Sequence, residues 1–133
     1  MKPERKLEDM ESLLEKVEAK RTKHTPVLWL NDDAQALGIS ISLLVRAYNG
    51  SLDAAHSLHK AVFNGLNQYS IITDPTCIKV SVCWWPKGLS QDAEYYGEGW
   101  HDGNPARAWL IAIIKALIAE AKHVRVTFIV GDE

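Results

Sequence analysis

Cysteine is scarce: Cys77 and Cys83 are the two in 133 residues. They stand six positions apart on one expected strand, so they share a face yet lie too far apart to bond each other. With no CxxC pair there is no thiolate framework for zinc, and no metal or other cofactor is expected. Reduced thiols and a cytoplasmic location are the simple reading. An excess of one charge is missing too. Lys and Arg number 15 against 17 Asp and Glu, a net charge of −2. No broad field for polyanions follows, and duplex nucleic acid is not an expected partner. The longest apolar run, residues 108–119, is interrupted by Lys115 and is too short to span a bilayer. The N-terminus is densely charged from Lys2 onward, unlike a signal peptide, so no membrane partner is expected. Nucleophile elbows, P-loops, HExxH motifs and strand-borne GxGxxG glycines are all absent, as are repeats and low-complexity tracts. No catalytic residue is therefore assigned. A hydrolase or lyase reading would rest on the carboxylates Asp92, Glu94, Glu98 and Asp102, which a solvated loop explains more simply.

What is present is an ordinary globular composition, 47% hydrophobic and 24% charged, at a length that makes one domain with an appended arm. Residues 1–25 are the charged helical arm and residues 26–133 the domain. Within the arm, residues 3–23 read as a helix carrying Leu7, Met10, Leu14 and Val17 at three–four spacing. That stripe is too short to hold a helix alone, so it packs either on the domain or on a second copy. Thr25-Pro26 ends it. Asn31-Asp32-Asp33 caps a short helix that Gly38 closes. Residues 39–45 are apolar and partly β-branched, and pattern alone does not separate helix from strand there. Ser51 caps a helix reaching about Phe63, with Leu52, Ala55, Leu58, Ala61 and Val62 toward the core. Strands are expected at residues 69–73, 77–85 and 93–100. In the second, Ile78, Val80, Val82 and Trp84 alternate with Cys77, Lys79, Ser81, Cys83 and Trp85. In the third, Gly97 and Gly99 mark bulges or close approach. The helix after Asn104 is apolar nearly all round, which places it in a core or between protomers. Residues 124–130 read as a last strand. The order implies an α+β fold: a small antiparallel sheet of three to four strands packed with helices in layers, plus the N-terminal helical arm.

Gly103-Asn104-Pro105-Ala106-Arg107-Ala108-Trp109 is the most informative stretch. Asn104 suits a helix N-cap and Pro105 the first helical position. Arg107 then falls at about the third position, where a cation opposes the helix dipole. An arginine beside unpaired amides suits an anion: a phosphate, a carboxylate or an acidic side chain. Pairing with one of the protein's own carboxylates explains it equally well. Five tryptophans is a high count. Trp84 and Trp109 read as core, while Trp85, Trp100, Tyr95 and Tyr96 lie on or near the strands preceding Arg107. Aromatic faces beside a cation match a nucleotide, with stacking for the base and charge for the phosphate. Taken singly, each aromatic reads more simply as core or protomer interface. His56 and His59 share a helix face, but a metal would need a third ligand, and the spacing of His101 and Asp102 does not supply one.

Ala47-Tyr48-Asn49-Gly50-Ser51-Leu52-Asp53-Ala54-Ala55, a helix, an aromatic-rich sheet and Asn104-Pro105-Ala106-Arg107-Ala108 together resemble small phage and prophage proteins of the phage ABA-sandwich, NinX-like type. Asp33-Ala34-Gln35-Ala36-Leu37-Gly38-Ile39 fits that family's opening helix, and the resemblance covers residues 30–120. In size, class and an arginine at a helix start, the chain is also similar to Thoeris anti-defence sponges. Those bind cyclic ADP-ribose-type signals, some also cyclic oligonucleotides, without turnover and as oligomers. The resemblance implies a non-enzymatic homo-oligomer that sequesters a small cyclic nucleotide in the cytoplasm of an infected bacterial host. Residue chemistry then assigns Arg107 to phosphate, with Asn104 and adjacent amides such as Ala106 assisting. Trp85, Trp100 or Tyr96 would stack on the base, and Arg46 would be a second cation. The rival expectation is a module that binds a host or phage protein and no small ligand.

Overall fold

The computed structural model describes residues 6–19, 28–73, 75–86 and 94–122. Their elements are α1 Leu7–Glu18, α2 Asn31–Leu37, α3 Ile41–Tyr48, α4 Leu52–Val62, β1 Gly65–Thr73, β2 Ile78–Pro86, β3 Tyr95–His101 and α5 Pro105–Ala121. The strands form one antiparallel sheet in the order β1-β2-β3. The fold class is the expected α+β. The expected strand at residues 124–130 lies outside the described residues, as do His24 and His123.

The helix that is apolar all round becomes the middle layer. One side of α5 lies on β2 and β3, and α1, α3 and α4 pack around the rest of it. Eleven α5 residues from Ala106 to Ile118 are buried. Gly97 and Gly99 are the places where α5 comes closest to the sheet, and β3 runs through both without a bulge. The expected alternation of β2 holds. Val80, Val82 and Trp84 are fully buried under α5, while Lys79, Ser81, Cys83 and Trp85 point to the other face. Among the described residues, no helix is long and apolar enough to cross a membrane.

Several local details differ from the sequence reading. The α1 helix spans 12 residues and is shorter than expected. It joins the domain core through Met10, Leu13 and Val17, with Leu7 and Leu14 half-buried, and Lys115–Glu18 and Lys122–Glu11 ion pairs flank its packing on α5. The ambiguous 39–45 segment is helical. The Ser40 hydroxyl accepts from the Leu43 amide at 3.2 Å, and Leu44, Ala47 and Tyr48 form one buried stripe. In α4 the buried face is Ala54, Ala55, Leu58, His59 and Val62, whereas Leu52 and Ala61 face solvent. A polar histidine is packed where Ala61 was expected. β1 begins four residues early, at Gly65, because a left-handed Gly65 (φ 94°) turns the chain straight from α4 into pairing with Pro86 and Trp85.

Candidate functional site

Asn104 does what its position promised. Its side-chain oxygen accepts from the Arg107 amide at 3.0 Å, and Pro105 follows at the first helical position. Its amide nitrogen also donates to the Tyr48 carbonyl at 3.3 Å, tying the start of α5 to the end of α3. Gly50, at φ 114°, closes α3 directly beneath this amide. Replacing Asn104 with alanine removes both bonds. We expect a loss of about 1–2 kcal/mol in urea unfolding; an unchanged midpoint would show that the cap carries no weight.

Arg107 does not pair with a carboxylate among the described residues. Its guanidinium lies 3.7 Å above the Tyr48 ring, and its Nε donates to the Tyr48 carbonyl at 3.0 Å. Tyr48 is in turn braced edge-on by Trp29 at 5.0 Å. The cation thus sits on the negative end of α3, which offsets its unfavourable place at the positive end of α5. Its Nη1 lies 3.5 Å from His101 Nε2.

His101 fixes the character of that meeting. Its Nδ1 accepts from the Gly103 and Asn104 amides at 3.1 and 3.0 Å, so the neutral ring carries its proton on Nε2. In that tautomer Nε2 and Arg107 Nη1, 3.5 Å apart, are both donors and do not bond each other. Burial, then the Arg107 charge, pushes the His101 pKa down; Asp102 opposes this. Each of the two N–H groups suits an oxygen acceptor.

These donors open onto a cleft of about 570 Å³ beside the end of β3, between α1 and α5. Trp100 forms one wall, Val17 and Ile111 the floor, and Glu18 and Asp102 bring two carboxylates. Of the residues expected in a site, the structure brings Arg107 and Trp100 together. Asn104 and Ala106 lie at the same helix start, but the Asn104 side chain is spent on capping and Ala106 is fully buried. Trp85 and Tyr96 do not join them. Both are on the outer sheet face, and Trp85 sits opposite Leu66, at the far end from Trp100, whose partner is Lys79. Arg46 is exposed on α3 and lines no part of the cleft. His101, Tyr48 and Glu18 were not assigned to this site from sequence. The clue to His101 is its place two residues before a Gly-Asn turn, where a ring nitrogen can collect free amides.

The other chemistry weighed earlier is otherwise occupied. Glu98 accepts from Tyr96 Oη at 2.7 Å and Trp100 Nε1 at 2.6 Å. The Tyr96 hydrogen bond foremost lowers its pKa, so it stays ionised and has no proton to give. His59 has both ring nitrogens engaged, by Trp109 and Asn67. No group of three or more His, Cys, Asp or Glu residues that could hold a metal occurs among the described residues. Burial, then Glu94, raises the Cys83 pKa, which keeps that thiol protonated and unreactive. Compared with known protein families, curated proteins and solved structures, the chain matches none.

Proposed function

We propose that this protein is a non-enzymatic binder that sequesters a small, cyclic nucleotide in the cleft between Trp100 and Arg107. The observation that carries the reading is a cleft lined together by Trp100, His101 and Arg107, with His101 Nε2 and Arg107 Nη1 3.5 Å apart. A phosphate oxygen fits them. Trp100, half exposed, offers an aromatic face for a base. Glu18 and Asp102 suit the donor hydroxyls of ribose. Among the described lining residues one arginine stands with two carboxylates, which suits a ligand of few charges better than a polyphosphate chain. The resemblance to phage proteins supplies the biological setting: capture of a defence signal in an infected bacterial cell.

The test is to incubate the protein with cyclic ADP-ribose isomers and cyclic di- and trinucleotides, remove free ligand, denature, and identify what is released by mass spectrometry. An intact nucleotide in near-stoichiometric amount is expected. Trp100→Ala is expected to weaken binding about tenfold or more. Arg107→Lys, which keeps the charge but loses the planar fork, is expected to do the same. A converted nucleotide would make the protein an enzyme. Nothing bound would remove the reading and leave a protein partner as the explanation of the cleft.

A further inference from the structure

The start of a helix is the usual cradle for a terminal phosphate, because its first amides have no partner within the helix. At α5 that cradle is closed. The Gly103 and Asn104 amides both donate to His101 Nδ1, at 3.1 and 3.0 Å. Pro105 has no N–H. The Arg107 amide donates to the Asn104 side chain at 3.0 Å, and the Ala108 amide to the Asn104 carbonyl at 3.0 Å. Ala106, the residue left over, is fully buried. None of these amides is open to an anion in the cleft.

The donors that remain belong to side chains, and they are few. Trp100 Nε1 is spent on Glu98 at 2.6 Å, and Arg107 Nε on the Tyr48 carbonyl at 3.0 Å. The guanidinium therefore cannot grip an anion with Nε and Nη together, and meets it through its Nη nitrogens alone. His101 offers Nε2–H, 3.5 Å from Arg107 Nη1. It adds no second positive charge, because a proton on Nδ1 would face the Gly103 and Asn104 amides. Burial and then the Arg107 charge act in the same sense, lowering its pKa against Asp102. Asp102 brings a negative charge to the lining, as does Glu18, which pairs with Lys115 at 3.4 Å.

This donor set matches one kind of phosphate. A phosphate esterified on both sides carries a single charge, which one arginine and a neutral N–H donor can meet. A terminal phosphate carries about two charges at pH 8 and three strong acceptor oxygens. It would call on the amides that His101 and Asn104 already occupy, or on a second cation that the described lining residues do not include. We infer that the cleft selects a phosphodiester and turns away the terminal phosphate of the same nucleotide. The inference rests on the nucleotide reading above and names the group that the ligand presents. His101 is the selecting residue: one ring nitrogen occupies two amides, and the other supplies a neutral donor.

The experiment is calorimetric titration of the full chain at pH 8 with two matched pairs. These are 3′,5′-cyclic AMP against 5′-AMP, and cyclic di-AMP against its ring-opened form bearing a 5′-phosphate. In at least one pair the cyclic member is expected to bind about tenfold or more tightly than its partner. His101→Asn keeps an oxygen near the place of Nδ1 for the two amides but has no donor at Nε2. It is expected to keep the native far-ultraviolet spectrum and to lose about tenfold in affinity for the cyclic member. His101→Ala releases both amides and is expected to narrow the preference by strengthening the terminal phosphate relative to the ring. A native chain that holds a terminal phosphate as tightly as the cyclic form overturns the inference and leaves the nucleotide reading standing. An unchanged preference in His101→Ala overturns it too, since ring shape and not the phosphate would then be what the cleft reads. So does a native chain that holds neither pair, and the release experiment above decides separately whether the nucleotide reading stands.

Discussion

Gly99→Ala is expected to cost at least about 3 kcal/mol of stability, at the upper end of what overpacking does. A Cβ at position 99 would stand 2.0 Å from the Ala108 carbonyl oxygen and 2.8 Å from the Ala112 nitrogen. Both are backbone atoms of α5, so no side chain can swing aside. The helix would have to lift from the sheet, and α5 is the layer on which α1, α3 and α4 also rest. Gly97 is in the same position against Ala112 and Ala116, at 2.1 and 2.5 Å. The double variant is expected to lose cooperative unfolding altogether, because a domain of this size has only about 5–15 kcal/mol to lose. Gly103→Ala is the control: nothing lies within 4 Å of its Cβ, and a change within about 0.5 kcal/mol is expected. Urea unfolding of the three single variants decides it. A Gly99→Ala chain within 1 kcal/mol of native would mean that α5 is not seated on β3 as closely as described.

That close seating was visible in the sequence only as two glycines in a strand, a pattern that also fits a bulge. What distinguishes the two is the apolar helix that follows. Its small residues Ala108, Ala112 and Ala116 recur every four positions and form the ridge that meets the glycines. The β2 alternation and the caps at Ser51 and Asn104 were legible because each depends on neighbours in sequence alone. The 39–45 segment was not, since its choice of helix depends on α4 and α5 being there to receive Leu44, Ala47 and Tyr48. The inward place of His59 was hidden for a similar reason. A histidine is buried only where partners such as Trp109 and Asn67, 50 and 8 residues away, satisfy both nitrogens.

The site divides along the same line. That Arg107 stands at a helix start followed from Asn104-Pro105. That its partner would be the carbonyl and ring of Tyr48, 59 residues earlier, did not. Strand parity already separates Trp100, Tyr96 and Trp85 from the core. Only the register shows that Trp85 pairs with Leu66 at the opposite end of the sheet from Trp100. Grouping aromatics by nearness in sequence overlooks that a strand advances about 3.3 Å per residue.

Stability is expected to fall as the solution is acidified below about pH 6.5, the ordinary imidazole value. The Trp109 indole N–H donates to His59 Nδ1 at 3.2 Å, and Nε2–H then donates to Asn67 Oδ1 at 2.8 Å. The Asn67 amide passes the chain on to the Gly65 carbonyl at 3.1 Å. Protonating His59 would set a second N–H against that of Trp109. Burial is the main force pushing its pKa down, His56 adds to it, and the Asn67 bond opposes. His101 is depressed as well, and a proton on its Nδ1 would face two backbone amides. In both cases the folded pKa lies below the unfolded one. The unfolded chain therefore takes up protons first as pH falls, and the stability that is complete above the unfolded value is lost down to the folded one. For His59 the slope cannot exceed about 1.4 kcal/mol per pH unit, the limit for one proton. Denaturant melts at a series of pH values measure it. His59→Gln is expected to be less stable at neutral pH yet to show a shallower acid slope than the native protein. An equal slope would place the titration at His101 or elsewhere, and stability rising toward acid would mean that His59 is held charged in the fold.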